Sequence, residues 1–416
     1  MKKFFFFAVA ALALASCSND ETVEVNQGEA ISFRPLMNNA TRASATSDVT
    51  TANINSFNVT AFNAGTTANP YIDDVTDTNN SEAFYVGGST TATDNYYWPI
   101  NNLDFYAYAY TDAGASLDPA APQVSKTDYH TFVVTPTAGA NPTQVDLVYA
   151  CLQDAAKATY GASGVPLNFR HTGSKIALKV KNTSAKMKFD IDGWKVGFLA
   201  PSGTFTFPIT SGNSTTGNNT DDGSGSVLGT TIWSSLGTPS VATEYSSTFS
   251  TTYVAANTAT ASALSGDFIL IPQSFTAATQ YASSAANTAL NNTYIAVKLI
   301  IRNTDNATDG QGTIIACDWT DSDSDGILDE GEKSSVTSMW AIWPINGTWK
   351  PGYKYTYTLD LADGGYYEKN HDTNEDLDPI LENAIIKFVT VTVDAWDTDT
   401  NDDGTANDET PVPVLP

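Results

Sequence analysis

Cysteine and histidine are both scarce in this sequence, with three residues of each type among 416. Cys17 lies in the apolar N-terminal segment, and Cys151 and Cys317 are far apart in the chain, so we expect no structural disulfide. The histidines are too few and too scattered for a zinc site or a catalytic triad. The folded part of the chain must therefore be stabilised by packing alone.

Basic residues are also few. Lysine and arginine together number 20 against 46 acidic residues, which gives a formal net charge of −26. A surface of this charge repels phosphate, so nucleic acids are excluded as partners. Many of the acidic residues lie in aspartate-rich segments near the C-terminus, and these segments favour divalent cations.

No segment has the i, i+3, i+4 apolar spacing of a long helix. Instead, short alternating segments are flanked by Gly, Pro, Asn or Asp. In one of them, Leu103, Phe105 and Ala107 fall on one face while tyrosines fall on the other. This pattern predicts an all-β chain, and 416 residues is a suitable length for two β-sandwich domains in tandem.

Residues 1–17 are typical of a signal peptide, because two lysines precede an apolar run too short to span a membrane. Their ending, Leu14–Cys17, resembles a bacterial lipobox, in which cleavage before the cysteine is followed by lipid attachment to it. Cys17 is therefore the candidate lipidation site; the alternative is an ordinary signal peptide with an incidental cysteine. Residues 18–29 are predicted to be a flexible linker, and their acidic start is similar to a signal for transfer to the outer face of the outer membrane.

The rest of the chain divides into two predicted domains and a tail. The predicted limits are 30–160 for the first domain, 161–396 for the second and 397–416 for an acidic tail. Short segments recur in the same order in both domains: Trp98–Asn101 precedes a tyrosine-rich strand, and so does Trp343–Asn346. The region near 211–263 is rich in Ser, Thr, Gly and Asn, so we expect long loops or an insertion there.

The segment 31–63 contains two alternating strands joined by a polar loop. Ile31, Phe33 and Pro35 lie on one side of the first strand, and the loop after it carries a single basic residue, Arg42. A protease could cut such a loop. We therefore predict that the first strand is removable.

The last strongly alternating segment is Ala384–Trp396. Its place near the end of the chain makes it the natural candidate for donation to another subunit.

The segment Asp321–Glu332 matches the twelve-residue loop of EF-hand calcium sites. Carboxylates at positions one, three and five, a glycine at six and a glutamate at twelve supply hard oxygen ligands around a sharp turn. The candidate ligands are Asp321, Asp323, Asp325, Ile327, Asp329 and Glu332. The flanking segments are predicted to be strands rather than helices, so the alternative is a solvated acidic loop without metal. We expect no other cofactor.

Several segments, taken in order, resemble the fimbrillin family, the Mfa-like lipoproteins that build type V pili. They are the lipobox, the block ISF to INSFNV, WPIN with LDFYAYA, VPLNFRHTGSKIALKV, GDFILIPQ, and GTWKPGYKYTYTLDL before a terminal VTVDAW. The resemblance covers most of the mature chain. It implies two transthyretin-like β-sandwich domains, lipid-anchored export, proteolytic maturation after an arginine, and strand exchange between subunits.

Arg42 is the position that matches the maturation site of this family, with Ala43 as the new N-terminus. Among the four arginines, Arg34 precedes a proline, which blocks trypsin-like cleavage. Arg170 and Arg302 fall in predicted strands, where hydrogen bonding protects the backbone. The alternative is that Arg42 is a solvated loop residue without a role.

These observations favour a protein that is not an enzyme, since no phosphate loop and no hydrolase or protease motif is present. The expected function is that of a stalk or tip subunit of a type V fimbria that supports cell adhesion, located first at the outer membrane and then in the fimbrium. The expected partners are other fimbrial subunits, a maturation protease, and the outer membrane through the lipid anchor. The alternative is a monomeric surface lipoprotein that binds glycans on aromatic side chains.

Overall fold

The computed structural model of the chain describes residues 29–37, 56–66, 69–78, 84–85, 96–112, 124–142, 144–207, 232–281, 290–305, 312–324, 327–368, 376–381 and 388–395. Strands dominate these stretches, which confirms the prediction of an all-β chain. The helical segments in them are one turn, α1 (Lys157–Tyr160), and the 3₁₀ turns Lys333–Ser335 and Leu361–Asp363. None of these helical segments has the length and apolar character that a membrane crossing needs.

The described strands are β1 (Ser32–Met37), β2 (Ser56–Asn63), β3 (Ile72–Thr78), β4 (Phe84–Tyr85), β5 (Leu103–Asp112), β6 (Val124–Lys126), β7 (Thr131–Val134), β8 (Gly139–Ala140), β9 (Val145–Ala155), β10 (Val165–His171), β11 (Ser174–Asn182), β12 (Met187–Leu199), β13 (Gly203–Thr206), β14 (Trp233–Ser234), β15 (Ser240–Val254), β16 (Thr258–Ala263), β17 (Phe268–Leu270), β18 (Ser274–Phe275), β19 (Tyr294–Asn303), β20 (Ile314–Ala316), β21 (Met339–Pro344), β22 (Gly347–Thr348), β23 (Tyr353–Asp360), β24 (Tyr366–Tyr367) and β25 (Phe388–Ala395).

The N-terminal half is built on a seven-stranded sheet in the order β3-β2-β5-β9-β10-β1-β4. The sheet curls until its two edge strands, β3 and β4, approach each other. The curl brings Phe33 of β1 onto Phe57 of β2 with ring centroids 5.7 Å apart, although three strands separate β1 from β2 in the sheet. Alternating apolar residues of β1, β2, β5, β9 and β10 fill the enclosed space, as the period of two predicts for one face of a sheet.

A four-stranded sheet, β14-β13-β7-β6, covers the other face of β5 and β9. The tyrosines of β5 that the sequence places opposite the aliphatic face pack here: Tyr108 lies 4.8 Å from Phe132 of β7, measured between ring centroids. Tyr149 of β9 lies 4.9 Å from Phe205 of β13 in the same way. Both faces of the N-terminal sheet are therefore buried in its central strands.

The C-terminal half is a sandwich of two sheets. One has the order β16-β11-β23-β25, with β17 also paired to β11, and the other has the order β24-β21-β19-β12-β15-β8, with β20 paired to β19. Their facing sides enclose a large apolar cluster with Trp194, Trp343 and Trp349 among its fully buried members. A short pair, β18-β22, lies beside it.

The predicted domain boundary at residues 160/161 is wrong in one respect. The strand β10, which the sequence places at the start of the second domain, pairs with β1 and β9 and so belongs to the N-terminal sheet. Its alternating Val165, Leu167 and Phe169 are fully buried in the N-terminal cluster, and this burial explains its position. The strands β13 and β14 also join β6 and β7 in one sheet, so no single cut separates the two halves.

The expectation of loops or an insertion near 211–263 is wrong for the described part of that region. The strand β15 is 15 residues long and runs along β12, and β16 pairs with β11. A Ser/Thr-rich strand is stable here because the ladder with β12 satisfies its backbone, and only some of its side chains, such as Tyr245 and Thr243, need to be buried. Residues 208–231 lie outside the described residues.

Candidate functional site

The first strand has pairing partners on both of its edges, and the described pairs with β4 are those of Ser32 and Phe33. On one side β1 runs parallel to β10, with Phe33 opposite Val165 and Met37 opposite Phe169. On the other side it pairs antiparallel with β4, and the residues before it pair with the segment 96–98. We call this position, between β10 on one side and β4 with residues 96–98 on the other, the β1 slot.

The backbone contacts at the start of the slot are short and direct. The Ile31 N–H donates to the Tyr96 carbonyl at 2.8 Å, and the Trp98 N–H donates to the Glu29 carbonyl at 3.0 Å. Gly164, just before β10, has φ +77°, and a side chain there would have its Cβ 3.2 Å from Ser32 Oγ. A glycine at this place therefore lets β1 lie close to the turn that leads into β10.

Phe33 anchors β1 in an aromatic pocket. It is 2% exposed, and its ring makes edge contacts with Phe57 at 5.7 Å and with Phe105 at 5.4 Å between centroids. Trp98 and Phe169 extend the same cluster through Phe105 and Phe57. Ile31 is 1% exposed and lies in the same core. The predicted apolar side of the first strand is therefore confirmed for Ile31 and Phe33.

The predicted lipidation and maturation residues, Cys17, Arg42 and Ala43, lie outside the described residues. The prediction that Arg170 and Arg302 lie in strands is confirmed, in β10 and β19. Arg170 is 7% exposed, and Arg302 Nε donates to Asp190 Oδ2 at 2.9 Å. The backbone at both arginines is paired with neighbouring strands. A protease cannot bind it, because the active site needs an unpaired segment of chain.

The C-terminal strand is held on one edge in the described structure. β25 pairs antiparallel with β23, from Leu359 opposite Phe388 to Tyr353 opposite Ala395, and it ends the sheet. The register shifts by one residue between Thr358 and Leu359, which places a bulge in β25 near Val389. Among the β25 side chains that the structure describes, Val391 joins the buried C-terminal cluster and Val393 packs against its margin.

The acidic loop brings three predicted calcium ligands together. Carboxylate oxygens of Asp321, Asp323 and Glu332 all lie within 4.8 Å of one another. Asp329 follows the same turn, with its N–H 3.4 Å from Glu332 Oε2. Asp325 lies outside the described residues, and Ile327 is 63% exposed. The loop lies between β20 and β21, so the strands that the sequence predicts at its flanks are present.

Glu332 organises this loop. Its carboxylate accepts from the Ser322 N–H at 2.5 Å and from Ser322 Oγ at 2.7 Å. These hydrogen bonds from Ser322 lower the pKa of the Glu332 carboxyl below its usual value, because they stabilise the ionised form. A carboxylate that is ionised and already turned into the loop is a suitable calcium ligand.

Two clusters of charged residues were not predicted from the sequence. His171 Nδ1 lies 2.9 Å from Asp146 Oδ1, and both side chains are buried. Lys195 is 5% exposed, with its Nζ 3.2 Å from Glu244 Oε2, in contact with Glu368, and 4.6 Å from the Trp340 ring centroid. Neither cluster has a local sequence signal, because its members come from different strands.

Comparison with known families identifies the family of the chain. The profile of fimbrillin-like proteins matches residues 41–396. The chain belongs to the fimbrillin-like family. In addition, a prokaryotic membrane lipoprotein lipid attachment site matches residues 1–18 of this fimbrillin-like chain, in agreement with the lipobox that ends at Cys17.

Solved structures similar to the fimbrillin-like chain come from Bacteroides and Parabacteroides. A candidate cell adhesion protein from Bacteroides ovatus is 14% identical, with TM-score 0.38, and the match covers 86% of this chain and 99% of that one. One from Bacteroides eggerthii is 16% identical, with TM-score 0.37 and coverage of 89% and 97%. A candidate adhesin from Bacteroides thetaiotaomicron is 10% identical, with TM-score 0.27 and coverage of 88% and 96%. Among curated proteins, none matches.

The fimbrillin-like chain offers little for glycan stacking in its described part. Tyr253 is the one described aromatic side chain that is largely exposed, at 57%. A sugar platform needs an accessible aromatic face, and the other described tryptophans and tyrosines are buried or half-buried. The described surface therefore gives the glycan-binding alternative no specific support.

Proposed function

We propose that this fimbrillin-like chain is a subunit, stalk or tip, of a type V fimbria that supports cell adhesion. It is exported as a lipoprotein anchored through Cys17 to the outer membrane, is cut after Arg42 and assembles with other subunits by strand exchange. The observation that carries the proposal is the β1 slot: β1 has pairing partners on both edges, and the polar segment that carries Arg42 separates it from β2. No catalytic role is expected.

Cleavage after Arg42 would leave β1 attached by noncovalent contacts alone. Once β1 leaves, the side chains of Phe57, Phe105 and Phe169 lose their cover, and β10 loses the partner along one edge. A strand from another subunit fills such a slot by β-augmentation, and it restores both the ladder and the buried surface. Burial of about 1,000 Å² of apolar surface contributes about 25 kcal/mol before the costs of ordering are subtracted.

The strand β25 is the proposed donor. It lies near the end of the chain, and it pairs along one edge only in the described structure. Among its described side chains, Val391 belongs to the buried C-terminal cluster and Val393 packs against that cluster. A strand held along one edge loses one ladder of backbone hydrogen bonds when it leaves, and β25 therefore costs less to release than a strand in the middle of a sheet. The arriving strand gains a second pairing edge in the corresponding slot of the next subunit, which is either a copy of this chain or another fimbrial subunit.

Arginine-specific proteolysis tests this function. The purified precursor should be cut after Arg42, begin at Ala43 and then form a ladder of heat-sensitive polymers in SDS gels. The Arg42→Ala variant should stay monomeric under the same conditions, whereas Arg42→Lys with a lysine-specific protease should polymerise again. A wild-type chain that is cut after Arg42 and remains monomeric would contradict strand exchange.

We also propose that the loop Asp321–Glu332 binds calcium. The support is the sequence pattern together with the convergence of Asp321, Asp323 and Glu332. These residues fit a hard cation, because all three offer ionisable carboxylates around one turn. When bound, the cation would tie β20 to β21 through this loop.

Calorimetric titration with calcium tests the loop. Glu332→Gln should weaken binding at least about tenfold, since the bidentate ligand at position twelve is lost. Glu330→Gln is the matched control: Glu330 lies in the same loop but is exposed and pairs with Lys333. Equal affinities for the two variants would show that Glu332 is not a ligand.

A further inference from the structure

We infer that the β1 slot selects its incoming strand by an aromatic residue at the place of Phe33, and that the preferred donor is a different subunit carrying such a residue. The C-terminal strand of a second copy of this chain fits less well. This inference rests on the proposed strand exchange and names the chemistry of the partner that the slot accepts.

The slot is deep at one point. Phe33 is enclosed by the rings of Phe57 and Phe105 in edge contacts, and both of these rings are fully buried. Close-packed aromatic walls do not collapse freely around a smaller side chain, so a strand without a ring at this place leaves a cavity. The pocket therefore discriminates among strands by size and shape.

The strand β25 offers a different pattern. In a regular strand its alternating apolar face is Val389, Val391, Val393 and Ala395, and Phe388 has the opposite parity. The bulge near Val389 in the present pairing changes that parity. However, β1 lies parallel to β10 along the part of the slot that follows Phe33, and bulges are rare between parallel strands. A second copy of β25 would thus present a valine to the aromatic pocket.

The occupant in the precursor is well suited to the pocket but not to permanent pairing. Phe33 fills the aromatic walls, whereas Pro35, two residues later, has no backbone N–H to donate. The Ile31 N–H points to the segment 96–98, so a residue other than proline at position 35 would direct its N–H to the same edge of the strand. A strand that keeps the aromatic residue and lacks the proline therefore offers one more donor along that edge, beyond the pairs that Ser32 and Phe33 make with β4. Such a strand should displace β1, and a strand of valines should do so less well.

The test is a peptide exchange on the full chain after cleavage at Arg42, with fluorescent peptides and native mass spectrometry. The peptide with the sequence of residues 29–38 carrying Pro35→Val should enter the slot. Adding Phe33→Val to it should weaken binding at least about tenfold, whereas adding Ile31→Val, which removes one methylene nearby, should change binding less than about threefold. A protease site engineered beside Arg42 provides the cut if the native site resists cleavage.

The C-terminal strand supplies the second arm. A peptide of residues 386–396 should bind more weakly than the Pro35→Val peptide. A phenylalanine in place of one of Val389, Val391 or Val393 should raise the affinity of this C-terminal peptide at least about tenfold. Equal binding of peptides with and without the ring at position 33, or tightest binding by the unmodified C-terminal peptide, would overturn the inference and leave strand exchange intact. If no peptide enters, including that of residues 29–38 itself, both the inference and the proposed function fail.

Discussion

The strands β1 and β25 lie near opposite ends of the chain and are held in opposite ways. β1 has partners on both edges and places Ile31 and Phe33, 1% and 2% exposed, in the N-terminal core. β25 has one partner in the described structure, and its best-buried described residue, Val391, is 9% exposed. The N-terminal half thus completes its core with a strand that it is proposed to lose, whereas the C-terminal half holds the strand that it is proposed to give along one described edge.

Loss of a whole strand should produce the largest difference in unfolding between the N-terminal and C-terminal halves. Removal of β1 from the chain cut after Arg42, by denaturant and gel filtration, should abolish the cooperative unfolding of the N-terminal half because its core loses Phe33 and Ile31. Deletion of residues 388–416 should leave a cooperative transition for the C-terminal half. Unfolding followed by circular dichroism and tryptophan fluorescence measures both, and loss of the C-terminal transition on deletion would refute the comparison.

Single truncations should show the same order on a smaller scale. Phe33→Ala should lower the free energy of unfolding by about 3–5 kcal/mol, because it opens a cavity between aromatic rings. Val391→Ala should lower the free energy of unfolding by about 1–2 kcal/mol, since two methyl groups are removed from a less buried site. Urea denaturation of both variants measures the two losses in unfolding free energy. Equal losses would mean that β25 contributes as much to stability as β1.

Hydrogen exchange should separate the two strands without any mutation. Amides of β25 are expected to exchange faster than those of β1, because an edge strand opens locally at a lower free energy than a strand paired on both sides. Mass spectrometry of peptic peptides covering residues 29–37 and 388–395 measures the two rates in one sample. Slower exchange in β25 would reverse the proposed roles of donor and plug.

The two buried thiols provide the smallest and most local probe. Burial raises the pKa of Cys151 in β9 from 9.0 to about 12, and burial also raises the pKa of Cys317 next to β20. A raised thiol pKa keeps the group protonated, so near pH 9 the reactive thiolate of Cys151 is roughly a thousandth of the total. Iodoacetamide should therefore label neither thiol in the intact precursor.

Loss of β1 should change this result for Cys151 alone. Cys151 lies on the face of β9 that β14-β13-β7-β6 covers, opposite to the face that β1 fills. It should therefore be labelled only because the N-terminal half loses its cooperative structure when β1 is removed, while Cys317 in the C-terminal half stays protected. Deletion of residues 388–416 should leave Cys151 unlabelled. Labelling of Cys151 in the intact precursor would show that its side chain is more accessible than the structure indicates.

Local sequence patterns predicted individual strands well but not their partners. The alternation from Leu103 to Tyr110 gave β5, which extends to Asp112, and the predicted Tyr294–Arg302 gave β19. The parallel pairing of β1 with β10 could not be predicted, because it joins segments far apart in the chain and depends on which apolar faces fill the curled sheet. For the same reason the position of β10 was assigned to the wrong half.

The candidate sites divide along the same line. The calcium loop was predictable because its ligands are close in sequence, and Asp321, Asp323 and Glu332 do converge. The pocket around Phe33 was only half predictable: the alternation identified Phe33, but the rings of Phe57 and Phe105 come from other strands. The cluster around Lys195 had no local signal at all, since a lysine in a strand is ordinarily solvated.

The small sheet β14-β13-β7-β6 contains two strands from each half of the chain, and its hydrogen bonds connect the two halves. In the proposed fibre, tension would enter a subunit at the β1 slot and leave it through β25. The load would cross between the halves through this shared sheet and through the pairing of β8 with β15. The two halves of a subunit joined in this way would resist the force together, as one rigid unit, rather than rotate about a flexible hinge.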